Sequence, residues 1–196
     1  MTPNHVTLLT TAVAWAATLC FFTGQLGIGL VLALAVGVLD GVDGKLARLR
    51  LQHSRLGRHE HKLDGAYEIS WWVALAYHLW SSGALPSAWT AGFLLAALEA
   101  VDGIAKVTVL RRFGRTIDEM GRFDRFVRLW GGRRNVYVWL MAAGAAIGNA
   151  PAAFALLPWW EGVTAVVHAA RAWWLVRDAG QARRLRPAPR PSPSRP

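Results

Sequence analysis

The chain has 196 residues, of which 54% are hydrophobic, 17% are charged and eleven are Trp. A soluble domain carries nearer a quarter charged residues, and so much apolar content excludes disorder over most of the chain. The length allows one domain. The single cysteine excludes a disulfide framework; Cys20 sits in an apolar run and is predicted as a small core residue. Twenty-two Lys+Arg against twelve Asp+Glu give a net charge of +10. On a soluble protein that excess would suggest nucleic acid; here the apolar runs turn the question to where the charge lies relative to a membrane.

A bilayer crossing takes roughly 20 mainly apolar residues, and six segments fit. The first covers 6–23, VTLLTTAVAWAATLCFFT. It has neither a basic n-region nor a small-residue cleavage site, so a span is expected and not a cleaved signal peptide. The second starts near Gly27 and continues helically into LDGVDGKLARLRL. The third covers 63–80, ending in ISWWVALAYHLW, and the fourth 87–110, SAWTAGFLLAALEAVDGIAKVTVL. The fifth begins at Asn135 with VYVWLMAAGAAIG, and the sixth ends near Arg177 with VTAVVHAARAWWLV. Their break falls within 148–161, where Asn149, Pro151 and Pro158 compete.

The loops give orientation. Residues 24–27 and 81–87 hold no Lys or Arg, and the 148–161 turn holds only Glu161 as a charged residue. The other side holds Lys45, Arg48, Arg50, Arg55, Arg58 and Lys62, then eight arginines in 111–134, then the tail arginines from Arg183 onward. An even number of spans with this asymmetry puts both termini in the cytoplasm of an inner-membrane protein. The net charge is then positive-inside topology, and no nucleic-acid partner is expected. The membrane domain is expected over 1–178. Residues 179–196, Pro- and Arg-rich, are expected to form a disordered cytoplasmic tail near anionic headgroups.

Asp and Glu inside spans are costly and usually functional. Thirteen uncharged residues, 27–39, precede Asp40 and Asp43. Counted back from the outer end of the third segment, twelve residues, 80–69, precede Glu68 and Asp64. Twelve more, 87–98, precede Glu99 and Asp102. At 1.5 Å per residue, all three sets lie roughly 18–20 Å from the outer face, about two-thirds of the way through the hydrocarbon core. Asp40 and Asp43 share a helix face at i, i+3, as do Asp64 and Glu68 at i, i+4. Two such pairs facing each other repel unless they are protonated or bridged by cations. Carboxylate oxygens without nearby Cys suit Mg²⁺ or Mn²⁺, and Mg²⁺ in turn suggests a phosphate or diphosphate substrate. Gly41, Gly44 and Ala47 leave room for a ligand or for a packed helix. Arg48 can pair with phosphate or with Asp64, or serve as a positive-inside anchor.

Residues 40–68 read DGVDGKLARLRLQHSRLGRHEHKLDGAYE. This resembles the signature of the CDP-alcohol phosphatidyltransferase family, D-x2-D-G-x2-A-R-x8-G-x3-D-x3-D. The match runs through Asp40, Asp43, Gly44, Ala47 and Arg48 to Gly57 with the eight-residue gap intact, and the opening TPNHVTLL is similar to the family's usual start. Two departures stand out. Six residues, not three, separate Gly57 from Asp64, and the last acid is Glu68, not Asp. The family spacing would fall on His61 and Gly65, which replace a carboxylate poorly. Asp64 and Glu68 are therefore aligned to the third and fourth acids, and the extra residues are expected to lengthen the turn between helices. Glu60 is a reserve candidate.

The resemblance implies an all-α, six-span membrane enzyme in which an alcohol hydroxyl attacks a CDP-linked donor, giving a phosphodiester and CMP. It implies Asp40, Asp43 and Asp64 as metal ligands for Mg²⁺ or Mn²⁺. Glu68 is then both ligand and the base that takes the acceptor's proton. Gly44 and Ala47 face the cytidine diphosphate with Arg48 assisting. It implies a CDP-linked lipid or alcohol donor, an alcohol acceptor, surrounding membrane lipids and a homodimer. The acceptor, and which half carries the CDP, stay open.

Other residues carry paired readings. Within 111–134, Arg122, Arg125 and Phe126, with Phe123 and Trp130, form either an interfacial helix or a pocket for a phosphorylated substrate. Glu99, Asp102 and Lys106 contain either an internal Asp102–Lys106 ion pair or a cavity lining. His53, His59 and His61 are expected to be solvated rather than zinc ligands. His78 and His168 are expected to be hydrogen-bonded inside the bundle, and the three Trp pairs to serve belts or packing. A cation or proton transporter is the rival function. It lacks the broken helices and repeated halves common in carriers and leaves D-G-x2-A-R unexplained. A member that has lost catalysis and only binds lipid is the third reading.

Overall fold

The computed structural model describes the backbone of residues 3–50 and 57–184, and the side chains of residues 7–40 and 65–179. Among the described residues all regular structure is helical. The helices are α1 (Pro3–Phe22), α2 (Leu26–Arg50), α3 (Gly57–Ser81), α4 (Ala88–Phe113), α5 (Arg122–Trp130), α6 (Arg134–Ala146) and α7 (Ala150–Arg184), with a 3₁₀ turn at Ile117–Glu119 before α5. All six apolar segments of the sequence form helices. One stretch, Ala150–Ala179, is by itself long and apolar enough to cross a bilayer, and Thr7–Phe22 and Leu26–Asp40 are shorter apolar stretches. The others fall short for visible reasons. Acids interrupt α3 and α4, and α6 has 13 residues.

The packing order closes a ring. α1 packs on α2, α2 on α6, α6 on α7, α7 on α4, α4 on α3, and α3 back on α1. Inside the ring lie Trp71, Tyr67, Tyr137, Phe21, Phe154 and Leu75, each almost fully buried. Small residues let the helices approach. Ala14 and Ala17 are fully buried on α1, and the Trp71 indole donates to the Ala14 carbonyl at 2.8 Å. Outward-facing positions are also apolar. Leu19, Val31, Val38, Phe93, Ile104, Val166 and Trp159 are all exposed. A soluble bundle rarely presents so continuous an apolar exterior.

The break between the last two segments falls at 147–149. Gly148 takes a left-handed φ of 74°, which costs glycine little. The Asn149 side-chain oxygen accepts from the Ala152 N–H at 3.3 Å and caps α7. Pro158 does not break the helix. An interior proline costs about 3 kcal/mol or more, and here its neighbours Phe154, Leu157 and Glu161 are all buried against the bundle.

Three expectations are corrected. The extra residues after Gly57 do not lengthen the turn; Arg58 to Leu63 are helical and extend the start of α3. Glu161, expected in the outer turn, lies within α7. Cys20 is half-buried and not in the core. The Trp pairs divide without departing from the expectation: Trp71 and Trp72 pack in the core, whereas Trp173 and Trp174 are exposed beneath Arg177 and Arg171. The helix of the sixth segment runs on to Arg184, and the tail from 185 lies outside the described residues.

Candidate active site

A cavity of 710 Å³ opens at one end of the ring, lined by residues of α3, α4, α5, α6 and α7. Its carboxylates are Glu68, Glu99, Asp102 and Glu161; its cations are Lys106, Arg128, Arg133 and Arg134. Glu161 shares the depth of the other acids. Thirteen uncharged residues, 148–160, precede it, and eleven of them, 150–160, belong to α7. Those eleven span about 16 Å at 1.5 Å per residue.

Arg134, at the first turn of α6, organises the site. It donates to the Tyr67 hydroxyl at 2.6 Å, lies 5.2 Å from the centre of the Tyr67 ring, and forms an ion pair with Asp40. One guanidinium therefore joins the acid-bearing part of α2 to the residue before Glu68 on α3. Planar, delocalised Arg suits this double duty better than Lys.

Of the predicted site residues, Asp40 and Glu68 have described side chains. Asp40 is half-buried against Arg134, and Glu68 lines the cavity. Asp43, Gly44, Ala47 and Arg48 lie on α2 and Asp64 and Glu60 on α3, with side chains outside the described residues, as are those of His53, His59 and His61. Among the described residues, no three acidic, His or Cys side chains converge to hold an ion. The predicted donors are all carboxylate oxygens, a set that fits a hard divalent ion in kind.

Both readings of the fourth helix hold. Lys106 pairs with Asp102 at 2.5 Å, and both line the cavity. His168 is buried, as expected, and its Nδ1 lies 2.5 Å from Asp102 Oδ1. The arginine-rich segment divides. Arg122, Phe123, Arg125 and Phe126 are exposed on α5, while Arg128, Arg133 and Arg134 line the cavity. The bidentate pair of Arg171 with buried Asp124, at 2.8 and 3.0 Å, fastens α5 to α7.

Four participants, Glu161 among them, escape a reading by motif. Tyr137 donates to Glu161 at 2.5 Å, Tyr67 accepts from Arg134, and the buried Gly132 links α5 to α6 with its N–H on Thr164 Oγ1 at 2.7 Å. Only Glu161 left a signal, the same count of uncharged residues that located the other acids.

The family model for CDP-alcohol phosphatidyltransferase matches residues 1–174. No curated protein matches the sequence significantly. Among solved structures, the chain is similar to the phosphatidylinositol phosphate synthase of Mycobacterium tuberculosis, crystallised with CDP-DAG bound. The TM-score is 0.64 and the identity 20%, over 90% of this chain and 86% of that one. The likeness establishes a shared fold.

Proposed function

Because the chain belongs to the CDP-alcohol phosphatidyltransferase family, we propose an assignment of that family's chemistry to its residues. The family reaction is transfer of a phospho-alcohol group from a CDP-alcohol to an alcohol acceptor, with release of CMP, in phospholipid biosynthesis. The chain is a membrane-associated transferase of this kind.

The observation that carries the assignment is the joint hold of Arg134 on Asp40 and Tyr67 beside a cavity lined by Glu68. It supports α2 and α3 presenting their acids to one space. In this reading Asp40, Asp43, Asp64 and Glu68 would hold Mg²⁺ or Mn²⁺, which neutralises the diphosphate and positions it for displacement. Glu68 takes the proton from the acceptor hydroxyl. Gly44 and Ala47 allow the cytidine diphosphate close to α2, and Arg48 contacts its phosphates. Arg128 and Arg133 add positive charge at the cavity. The donor is a CDP-linked lipid, the kind of ligand present in the mycobacterial structure.

Six helices, α1 to α4 with α6 and α7, cross the inner membrane with both termini cytoplasmic. The apolar exterior and the loop asymmetry support this. The short α6 fits as well, because its first turn sits at the depth of the acids, and the preceding Gly131 and Gly132 are buried in protein. Irregular backbone at membrane depth is tolerated only in such places. Residues 1–178 form the membrane domain and 179–196 the cytoplasmic tail. The homodimer is carried over from the family resemblance.

The test is CMP release by purified protein from CDP-diacylglycerol with Mn²⁺ and a panel of alcohols. Metal-dependent release supports the assignment. Release that persists after chelation contradicts it.

A further inference from the structure

The cavity holds a second acidic feature apart from the four predicted ligands. Glu99 of α4 and Glu161 of α7 both line it. Glu161 is 1% exposed; its Oε2 accepts from Tyr137 at 2.5 Å, and its Oε1 has no hydrogen-bond partner among the described residues. A buried carboxylate oxygen without a donor is costly. The backbone is nevertheless fitted closely around this group. A Cβ on Gly132 would collide with Glu161 Oε2 and stand 2.6 Å from the Tyr137 hydroxyl. A donor arriving with a ligand would complete the arrangement.

The surrounding charges select the donor. Lys106 is paired with Asp102, which His168 also contacts; Arg134 is paired with Asp40, and Arg128 lies 3.6 Å from Asp118. Arg133 is exposed. Neither Glu99 nor Glu161 joins an ion pair among the described residues. Among the described residues, no three acidic or His side chains converge on one point to hold a bare ion. An ammonium group fits better: it brings positive charge and three N–H donors on a larger radius.

We propose that Glu99 and Glu161 form the subsite for the ammonium group of an amino-alcohol acceptor. This rests on the transferase reading above and narrows its acceptor class. The acceptor oxygen bonds to the lipid-bearing phosphorus, and the P–O bond to CMP breaks. CMP leaves with the electron pair, and the hydroxyl proton passes to Glu68. The nitrogen makes and breaks no bond.

The experiment compares amino alcohols with amine-free isosteres, ethanolamine against ethylene glycol and serine against glyceric acid, in CMP release from CDP-diacylglycerol with Mn²⁺. Wild type, Glu99→Gln and Glu161→Gln are assayed. The amide oxygen introduced by Glu161→Gln still offers Tyr137 an acceptor, and melting curves check folding. The wild type is expected to favour the amine in kcat/KM by about tenfold or more, and each variant to shrink that preference by about tenfold, mainly through KM. Equal use of amine and isostere, or a preference that both variants retain, overturns the subsite and leaves the transferase reading intact. Absence of CMP release with every acceptor counts against the transferase reading instead. In that case, thermal stabilisation by ethanolamine over ethylene glycol, lost in Glu161→Gln, still supports the subsite, and its absence overturns it.

Discussion

Arg134 forms an ion pair with Asp40, ninety-four residues earlier in the chain. The same guanidinium donates to Tyr67, the neighbour of Glu68. Three helices thus meet at one side chain, which ties Asp40 of α2 to the neighbour of Glu68 on α3. Arg134→Ala is expected to lower kcat/KM for CMP release about 10²-fold, the size of effect that a ~1 Å misplacement of reacting groups produces. Arg134→Lys keeps the charge but loses the fork and should recover only part of the rate. Steady-state assays of the two variants check this; unchanged rates would show that the tie is dispensable.

Glu68 separates proton transfer from binding. Glu68→Gln is expected to reduce kcat by about 10²–10⁴-fold, the usual contribution of a positioned base. CDP-diacylglycerol binding should survive, because Gln keeps the shape and one acceptor oxygen. Glu68→Asp shortens the stem by one carbon and tests whether α3, lengthened at its start, is built around the longer side chain. A lower rate for Asp indicates that it is, and a higher rate that the carboxylate sits too far forward. Single-turnover CMP release alongside donor binding makes the distinction.

Gly132 is fixed by the bulk of its neighbours. A Cβ there would meet the Glu161 carboxylate and the Tyr137 hydroxyl, and Val127, Thr164 and Trp160 already crowd the adjoining Gly131 and Trp130. Gly132→Ala is expected to destabilise the protein by about 1–3 kcal/mol through overpacking. A lowered melting temperature in detergent checks it; an unchanged one would mean that the linker shifts freely.

The Asp124–Arg171 pair holds the aromatic-and-arginine helix α5 on the bundle. Asp124 is 2% exposed, so Asp124→Ala strands the Arg171 charge in a largely buried position. Removing one partner of a buried pair costs about 3–5 kcal/mol. Proteolysis of the 114–121 connection should accelerate in this variant. An equal loss in the double variant Asp124→Ala/Arg171→Leu would show that the pair itself is not the cause.

Much of this arrangement is legible in the residues, for reasons that can be named. Asp40, Glu68 and Glu99 declare themselves because long apolar runs make an interior acid conspicuous, and their equal distance from the outer turns follows from a constant helical rise. The Asp40–Arg48 signature carries the family resemblance before any coordinate. Glu161 carries the same signal but is hidden because it falls in the 148–161 stretch where Asn149, Pro151 and Pro158 compete for the break; tertiary packing of Phe154 and Leu157 overrides the helix-breaking tendency of Pro158. Arg134 cannot be singled out among eight neighbouring arginines, since only the ring closure of α2, α6 and α7 brings it to Asp40. The start of α3 is misjudged because insertions are expected in loops, whereas a run such as RHEHKL has adequate helix propensity.

The most direct measurement compares the wild type with Asp43→Asn and Asp64→Asn for CMP release from CDP-diacylglycerol, with Mn²⁺ present and after its removal by chelator. Loss of release in both variants and on chelation, regained in the wild type when Mn²⁺ is restored, is the expected result. Release that continues in either variant, or without divalent ions, would contradict the cage of acids from α2 and α3 on which this account depends.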